Sequence, residues 1–597
     1  MSYYRAPIEE ISFALETVAG MKQWSSVPGF EEAGEDLVQA VLEEAGKLAN
    51  DVISPTNEIG DAEGAKLDGN TVTTPDAFKP MHEAFVEGGW STLSADPELG
   101  GQGLPASLEI AVTEMVTSAN MAYSLQPLLT SGAIAAIDAH ASDDLRLKYL
   151  PKMITGEWSG AMNLTEPSAG SDVGALRARA EKQPDGTYKI SGQKIYITWG
   201  EHDLCDNVIH LVLARLPDSP PGTKGISMFI VPKFHVNDDG SLGERNDVKC
   251  VSIEHKLGIH GSPTCTMAFG EEGNCVGYLV GEENFGMRNM FTMMNHARIG
   301  VGLQGVAIAE RAYQHSVAFA TDRIQSAAIG GKTREPVAII EHPDVRRMLM
   351  TMRATAEASR AIIYRNVWAI DRAHASTDKE EKRSAIGEAD LLTPISKAYS
   401  TDIGVEAASL AVQVHGGMGF VEETGVAQFY RDSRIAPIYE GTNGIQALDL
   451  AGRKLNADGG AHWQALIAEM RDAANDLGRS MAGSKAVLCE GIDALEDAAN
   501  TLFANGFENI VDTAGGATPY LRLWGTVLGA HLLTQQAVEA ERRLASNEGN
   551  PAFLKSKITV AKFFVEQLLP SATALVGPIK AGAATMTTMD TADFERA

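Results

Sequence analysis

The sequence predicts an α+β multidomain protein, in which helix-forming and strand-forming segments occupy separate blocks of the chain. Two observations support this prediction. The chain has 597 residues, which is more than the roughly 250–300 residues that a single hydrophobic core can serve. Its apolar periodicity runs as one helical block, one block of strands and two further helical blocks, and such segregated blocks are typical of α+β proteins rather than of a doubly wound sheet.

The first block, residues 1–157, is predicted to be an N-terminal α-helical domain. Within it, residues 30–52 place apolar side chains at a spacing of three to four, which is typical of an amphipathic helix. A loop rich in glycine and proline follows at residues 97–105, and helical periodicity then continues to Leu150.

The second block, residues 158–285, is predicted to be a middle β domain with antiparallel strands. Short runs of β-branched, partly alternating residues are separated there by turn residues, which is the pattern of paired strands. The predicted strands are residues 188–198, 208–214, 226–231 and 248–253.

The rest of the chain is predicted to be helical in two parts, a helical bundle at residues 286–456 and an additional C-terminal helical domain at residues 457–597. The bundle contains long amphipathic stretches at residues 295–322 and 343–374, and the Asp-Gly-Gly segment at residues 458–460 is a plausible linker. The helices predicted in the additional domain are residues 463–477, 485–505, 519–544 and 555–569.

Composition excludes several classes of function. The formal net charge is −28, so the surface would repel nucleic acid and anionic lipid, and we expect neither as a partner. No window approaches the roughly 20 apolar residues that a membrane-spanning helix requires, and the N-terminus lacks the pattern of a secretory signal. The five cysteines have no CxxC spacing, which argues against a disulfide framework or a zinc site. We therefore expect a cytoplasmic protein that binds no metal.

The segment at residues 434–446 contains a lone carboxylate, Glu440, in an otherwise apolar turn flanked by glycine. Two interpretations remain open on this segment alone. Partial desolvation could raise the pKa of Glu440 and make it a general base. Alternatively, the carboxylate could stabilise the start of a helix through the helix dipole.

Three other segments bear on this choice, namely residues 162–173, 194–200 and 413–420. The first offers backbone amides, hydroxyls and small residues that would let a flat ring approach the main chain. The glycines of the third suit a close approach of the backbone to a pyrophosphate or an adenosine. Taken alone, the first and third are also consistent with ordinary turns.

In their order and separations, the four segments together resemble the acyl-CoA dehydrogenase family, and the resemblance runs from about Glu83 to Arg453. It implies an N-terminal helical domain, a middle β-barrel domain and a C-terminal four-helix bundle, with residues 457–597 as an extra domain. It also implies FAD in a cleft that a second subunit partly closes.

The resemblance implies a role for each matching residue. Ser171 would also reach toward CoA, and Arg298 is the second substrate-binding candidate. Glu440 matches the catalytic base, with its peptide N–H and the ribityl 2′-hydroxyl of FAD donating to the thioester oxygen. The implied FAD contacts within one subunit are Met162, Leu164, Thr165, Gly170, Ser171, Tyr196, Thr198 and Thr442. The implied contacts to the FAD of the neighbouring subunit are Arg323, Gln413, Gly416 and Gly417.

Two positions test the resemblance further. Some members of the family carry the base on an earlier helix, directly before an arginine that matches Arg298. Here that position is Ala297, which cannot accept a proton, so Glu440 is the remaining candidate. Gly444 departs from the family pattern, because many relatives have a glutamine there that hydrogen-bonds FAD.

The implied activity is the FAD-dependent α,β-dehydrogenation of an acyl-CoA thioester to the trans-2-enoyl-CoA. Electron-transfer flavoprotein would accept the electrons, and a homodimer is expected. The N-terminal segment at residues 4–15 and the extra domain resemble bacterial 3-methylmercaptopropionyl-CoA dehydrogenases of dimethylsulfoniopropionate degradation, which act on 3-methylthiopropanoyl-CoA. Three alternatives stay open: a general short- or medium-chain fatty acyl-CoA dehydrogenase, an oxygen-using acyl-CoA oxidase, and a non-catalytic CoA-binding protein.

Overall fold

A computed structural model describes residues 4–506 and 509–595. They form two compact units. The first contains residues 44–300, and the second contains residues 4–43 together with the chain from residue 301 onward. In the described part of the chain, no helix combines the length and the apolar character that crossing a bilayer would need.

Helices make up most of the second unit, and in the first unit they precede and follow the strands of the middle block. In chain order the helices are α1 (Ile8–Val18), α2 (Glu35–Lys47), α3 (Thr56–Glu63), α4 (Phe78–Glu87), α5 (Ala106–Ala119), α6 (Met121–His140), α7 (Asp143–Ile154), α8 (Gly286–Asp322), α9 (Pro343–Ala375), α10 (Lys379–His415), α11 (Val426–Ser433), α12 (Asn443–Leu448), α13 (Ala461–Asn475), α14 (Lys485–Asn505), α15 (Ile510–Ser546), α16 (Pro551–Phe563), α17 (Leu569–Thr573) and α18 (Val576–Ala581). Single wider turns of π-helix extend three of them, at Leu48–Ile53, Asp449–Lys454 and Phe564–Leu568.

Most strands lie between α7 and α8, and two short pairs lie outside this block. In chain order the strands are β1 (Lys66–Asp68), β2 (Thr71–Thr73), β3 (Trp158–Asn163), β4 (Arg179–Lys182), β5 (Tyr188–Thr198), β6 (Asn207–Arg215), β7 (Ile226–Pro232), β8 (Phe234–Val236), β9 (Leu242–Arg245), β10 (Val248–Ile253), β11 (Thr264–Phe269), β12 (Val276–Leu279), β13 (Ile324–Ala327) and β14 (Pro336–Ala338). The pairs β1–β2, β8–β9 and β13–β14 form separate two-stranded sheets.

The main sheet of the first unit closes into a barrel. Its strands follow the order β10-β11-β5-β12-β7-β6-β3, and β4 pairs with both β5 and β6, so that β5, β12, β7, β6 and β4 form a ring. Closure satisfies the backbone groups that an open sheet edge would leave unpaired. The expected β-barrel is therefore present, and the four predicted strand runs correspond to β5, β6, β7 and β10.

The prediction of antiparallel strands holds for most pairs but is wrong for two. Strand β3 pairs in parallel with β6 over six residues, from Trp158↔Asn207 to Asn163↔Val212, and β4 meets β6 in parallel at its end. The cause is the path of the chain, because β4 and β5 lie between β3 and β6 in sequence and return the chain to the same end of the barrel. The local sequence of a strand does not specify whether it pairs in parallel or antiparallel.

Small residues let the long helices of the second unit pack closely. A Cβ on Gly305 of α8 would lie 2.0 Å from the carbonyl oxygen of Ser400 on α10, and one on Gly302 would lie 2.4 Å from that of Ser396. Likewise, Gly525 on α15 leaves room for the ring of Tyr399. Helix α10 is therefore held against α8 on one side and against α15 of the additional domain on the other.

A buried ammonium group connects the two ends of the chain within the second unit. Lys557 on α16 lies 2.6 Å from Oε1 of Glu10 on α1 and 2.7 Å from Oε2 of Glu357 on α9. All three side chains are almost fully buried. Glu357 also accepts a hydrogen bond from Nε of Arg353 at 2.7 Å. The N-terminal helix, the bundle and the additional domain therefore share one ionic cluster.

We predict that Lys557→Met destabilises the second unit by about 3–5 kcal/mol, the usual cost of leaving a buried carboxylate without its partner. Thermal unfolding followed by circular dichroism should show a clear drop in melting temperature. The control is Lys555→Met, which removes an exposed lysine two residues away. An equal melting temperature for both variants would contradict the assigned role of the cluster.

Candidate active site

The segment that follows β3 carries the first group of predicted site residues. Met162, Leu164 and Thr165 are half-buried, whereas Gly170 and Ser171 are exposed. The carbonyl oxygen of Thr165 accepts a hydrogen bond from the peptide N–H of Ile195 at 2.9 Å. The segment is therefore fixed along β5.

A buried ion pair, which was not predicted from the sequence, holds this segment in place. Lys194 Nζ lies 2.8 Å from Glu166 Oε1 and donates to the carbonyl oxygen of Leu164 at 3.0 Å. The Glu166 carboxylate also accepts the peptide N–H groups of Arg177 at 2.6 Å and Ala178 at 3.0 Å. Burial lowers the pKa of Lys194 to about 8, against the opposing effect of Glu166. One signal could have revealed the pair, because Lys194 lies on the same alternating face of β5 as Tyr188 and Ile190.

Tyr196 lies in a β-bulge that turns its ring outward. On β11 one residue separates Cys265 from Met267, whereas their partners on β5, Ile197 and Lys194, are separated by two. Tyr196 takes up the extra length with φ +59° and is 60% exposed. A non-glycine residue in this conformation is strained, and such strain is concentrated at functional sites. The bulge thus presents a flat aromatic surface two residues before the half-buried Thr198.

Arg298, the other predicted substrate contact in the first unit, is buried. Its guanidinium lies 5.8 Å from the centre of the Phe291 ring, and one N–H contacts Asn295 Oδ1 at 3.4 Å. Ala297, beside it on α8, is buried and offers no acidic group.

Glu440 lies in the second unit, on a sharp turn directly before α12. Both Glu440, with φ +56°, and Gly441, with φ +82°, adopt the left-handed conformation. The side-chain amide of Gln446 donates to the carbonyl oxygens of these two residues at 3.3 and 3.4 Å. Glu440 is half-buried, and the strained backbone is held from within the following helix.

The phenol of Tyr439 directly precedes Glu440 in the chain. Burial raises the pKa of the Tyr439 hydroxyl well above its usual range, and the Glu440 carboxylate raises it further. That hydroxyl donates to Oε1 of Gln304 on α8. The carboxylate therefore lies beside a neutral phenol.

Asn443 anchors the turn that carries Glu440 to the middle of α10. Its side-chain nitrogen donates to Asp402 Oδ1 at 2.7 Å and to the carbonyl oxygen of Ala398 at 3.1 Å. Its side-chain oxygen accepts from Lys397 Nζ at 2.9 Å. Sequence reasoning did not identify this residue, because its partners lie more than 40 positions earlier in the chain.

Thr442 caps α12, since its Oγ1 accepts a hydrogen bond from the peptide N–H of Ile445 at 3.2 Å. Gly444 is exposed, and a Cβ there would approach only Thr442 Oγ1, at 3.8 Å. The backbone at Gly444 therefore leaves room for a side chain, which this sequence does not supply.

Arg323, Gln413, Gly416 and Gly417 form a separate exposed group at the C-terminal ends of α8 and α10. Ring stacking joins these ends, because Phe319 and His415 lie 4.2 Å apart between centroids. Gln413 lies about 18 Å further along α10 than Thr401, which contacts Asn443, at 1.5 Å per helical residue. Within the second unit, the structure does not bring this group to Glu440.

A histidine pair orders this exposed group. Nδ1 of His415 donates to the carbonyl oxygen of Ala411 at 2.7 Å, so its Nε2 accepts from Nδ1 of His315 at 3.0 Å. Burial, followed by the neighbouring His415, lowers the pKa of His315 to about 4, and burial also lowers the pKa of His415. Both rings are therefore neutral near pH 7. A Cβ on Gly416 or Gly417 would meet no atom within 4 Å.

Comparison with known proteins defines the class and then the family. Four consecutive parts match sequence profiles of one kind: acyl-CoA dehydrogenase N-terminal domain at residues 37–157, middle domain at 161–271, C-terminal domain at 284–455, and an acetyl-CoA dehydrogenase C-terminal-like domain at 465–590. The protein is therefore an oxidoreductase that acts on acyl-CoA thioesters.

Two relatives match over nearly the whole chain. The 3-methylmercaptopropionyl-CoA dehydrogenase of Ruegeria pomeroyi is 46% identical over 95% of this chain and 96% of its own. A butyryl-CoA dehydrogenase of Syntrophomonas wolfei is 36% identical over 95% of both chains. The chain belongs to the acyl-CoA dehydrogenase family.

A solved structure shares the fold over the additional domain as well. The acyl-CoA dehydrogenase of Bacillus anthracis, complexed with FAD, has a TM-score of 0.73 at 21% identity and covers 94% of this chain and 90% of its own. The family assignment therefore supports a flavin cofactor.

We predict that Lys194→Met loosens the segment after β3. The Glu166 carboxylate would remain buried with only backbone donors, at a cost of about 3–5 kcal/mol. Limited trypsin digestion should then cleave after the exposed Arg177. In the parent protein the peptide N–H of Arg177 donates to Glu166 and keeps this part of the chain in place. Lys189→Met, on an exposed position of the same strand, should leave the digestion pattern of the parent unchanged. Resistance of Lys194→Met to trypsin at this position would refute the assigned role.

Proposed function

We propose that the protein is an FAD-dependent acyl-CoA dehydrogenase in which Glu440 removes the α-proton of the thioester. The observation that carries this proposal is the turn at Glu440 and Gly441, where two successive left-handed residues place a half-buried carboxylate before α12. A capping role alone would not require this strained backbone, because the hydroxyl of Thr442 already caps the helix.

The chemistry follows from the weak acidity of the α-hydrogen. The α C–H bond breaks and its proton passes to the Glu440 carboxylate, while a double bond forms between the α- and β-carbons to give the trans-2-enoyl-CoA. We assign the peptide N–H of Glu440 to the thioester oxygen, where a preorganised donor typically supplies about 3–4 kcal/mol. The chemistry that FAD supplies when bound is acceptance of the β-hydrogen as hydride.

The residues assigned to FAD and CoA suit those ligands. Tyr196 presents an exposed ring, and Gly170 has no atom within 4 Å of where a Cβ would stand, which leaves the backbone open to a phosphate. Buried Arg298 and exposed Ser171 are assigned to the substrate. The assigned FAD contacts are Met162, Leu164, Thr165, Gly170, Ser171, Tyr196, Thr198 and Thr442.

We infer a homodimer from the exposed group around the ends of α8 and α10. Arg323, Gln413, Gly416 and Gly417 are assigned to the FAD of the partner subunit, which accounts for their exposure in the single chain. Phe420 follows this group and is 91% exposed, as expected for a residue that a second subunit covers.

The proposed electron acceptor is electron-transfer flavoprotein, on the strength of the family assignment. A reducing, cytoplasmic setting suits the five cysteines, all of which are free. The proposed substrate is 3-methylthiopropanoyl-CoA, supported by the 46% identical relative. The alternative is a straight short-chain acyl-CoA, supported by the 36% identical butyryl-CoA dehydrogenase.

We predict that Glu440→Gln retains its flavin but is bleached by acyl-CoA at least about 100-fold more slowly, the lower range for loss of a general base. Anaerobic stopped-flow absorbance measures the rate. Glu490→Gln, at an exposed glutamate of α14, is the control and should match the parent. Bleaching of Glu440→Gln at the parental rate would remove Glu440 as the base.

We predict that the parent enzyme prefers 3-methylthiopropanoyl-CoA over pentanoyl-CoA, in which a methylene replaces the sulfur, by about 10-fold in kcat/KM, within the range that pockets achieve for such a change. The measurement is anaerobic flavin bleaching by each thioester, with butyryl-CoA as a third substrate. Equal or faster bleaching by pentanoyl-CoA or butyryl-CoA would favour the general short-chain enzyme instead.

A further inference from the structure

A cavity of about 350 Å³ lies in the second unit, away from the residues assigned above. One wall is the first turns of α10, and the other is the chain that joins α12 to α13. Of the residues that line the cavity, Leu391 lies nearest along α10 to the turn that carries Glu440. Leu391 lies about 15 Å along α10 from Thr401, which contacts Asn443, at 1.5 Å per residue.

The cavity is basic, although the chain as a whole carries a net charge of −28. Four cationic side chains line it and only one carboxylate does, Asp390. Asp390 lies 2.9 Å from Lys454 Nζ, and Arg383 pairs with Asp458. No ion pair involves Lys379 or Lys382 among residues 4–506 and 509–595. A local concentration of positive charge in a concave site attracts anions and excludes cations.

One part of the cavity lining consists of an imidazole ring, a glycine and aliphatic side chains. A Cβ on Gly387 would lie 2.0 Å from Cε1 of His462, so the imidazole packs directly on the glycine backbone. Ile386, whose side chain is largely exposed, and Leu391, which is buried, contribute aliphatic surface beside it. An imidazole ring beside aliphatic side chains can pack against a planar ring, and the volume falls within the range of small-molecule sites, roughly 300–1,000 Å³.

We propose that this cavity binds a nucleoside diphosphate or triphosphate, with Lys379 and Lys382 on the phosphates and the base against His462 and Ile386. Lysine is a frequent phosphate ligand, acting as a point charge. Lys379 and Lys382 lie three residues apart on one face of α10, so both ammonium groups can reach the same phosphate chain. The site is independent of the proposed dehydrogenation, because none of its residues is assigned to FAD or acyl-CoA.

The test is isothermal titration of the flavin-loaded parent protein with ADP, ATP and inorganic pyrophosphate. We expect one site per chain for ADP and ATP, weaker binding of pyrophosphate, and affinity that falls with added salt. Lys379→Ala with Lys382→Ala should weaken ADP binding by roughly 10-fold for each lysine, since each removes a charge-assisted contact. Ala457→Phe should block the cavity without changing its charge.

The control is Lys189→Ala with Lys224→Ala, which removes two exposed lysines of the first unit and the same total charge. ADP that occupies the acyl-CoA site would bind both double variants equally, and that result would overturn the proposal. Pyrophosphate binding as tight as that of ADP would overturn the role of the base. Absence of binding to the parent would overturn the site altogether. Unchanged circular dichroism and unchanged acyl-CoA turnover would show that each variant is folded.

Discussion

The second unit depends on how one buried ammonium group is neutralised. Lys557 is shared by Glu10 and Glu357, and a buried charge without a partner would cost more than most packing contacts supply. Burial, followed by the charge of Glu357, raises the pKa of Glu10 to about 7. The pKa of Glu357 is lowered to about 2 because Lys557 and Arg353 outweigh its burial. The N-terminal segment and the C-terminal domain are remote in sequence, and both depend on the same buried cluster of charges.

The first unit also neutralises a buried ammonium group, here with a single carboxylate. Lys194 and Glu166 pair inside the barrel wall, and the carboxylate uses its remaining capacity on two peptide N–H groups. The segment that carries Thr165 and Ser171 is fixed in this way by its own buried Glu166. Ser171 can then remain small and exposed, because the buried ion pair determines the course of the backbone.

The bounds of several elements and the position of the Glu440 motif were predictable from local sequence. Strand β5 and helix α14 have the bounds that periodicity predicts, and the motif around Glu440 falls on a turn before a helix as expected. What could not be predicted depends on distant partners. The bulge at Tyr196 exists only against the register of β11, and Asn443 has its role only because α10 passes beside it. Gln446 supports the strained turn from within its own helix, yet nothing in the local pattern distinguishes it from an ordinary buried glutamine.

Helix α10 holds three separate groups of residues at fixed distances along one axis. Its first turns line the basic cavity, its middle holds Asn443, and its last turn carries Gln413 beside the exposed glycines. Pro394 lies within this helix and cannot donate to the carbonyl oxygen of Asp390. The side chain of Asp390 is held there by Lys454, at the end of the helical segment that begins at Asn443. The helical segment that begins at Asn443 therefore contacts α10 again at the point where α10 lacks a backbone hydrogen bond, so the two segments support each other at both ends.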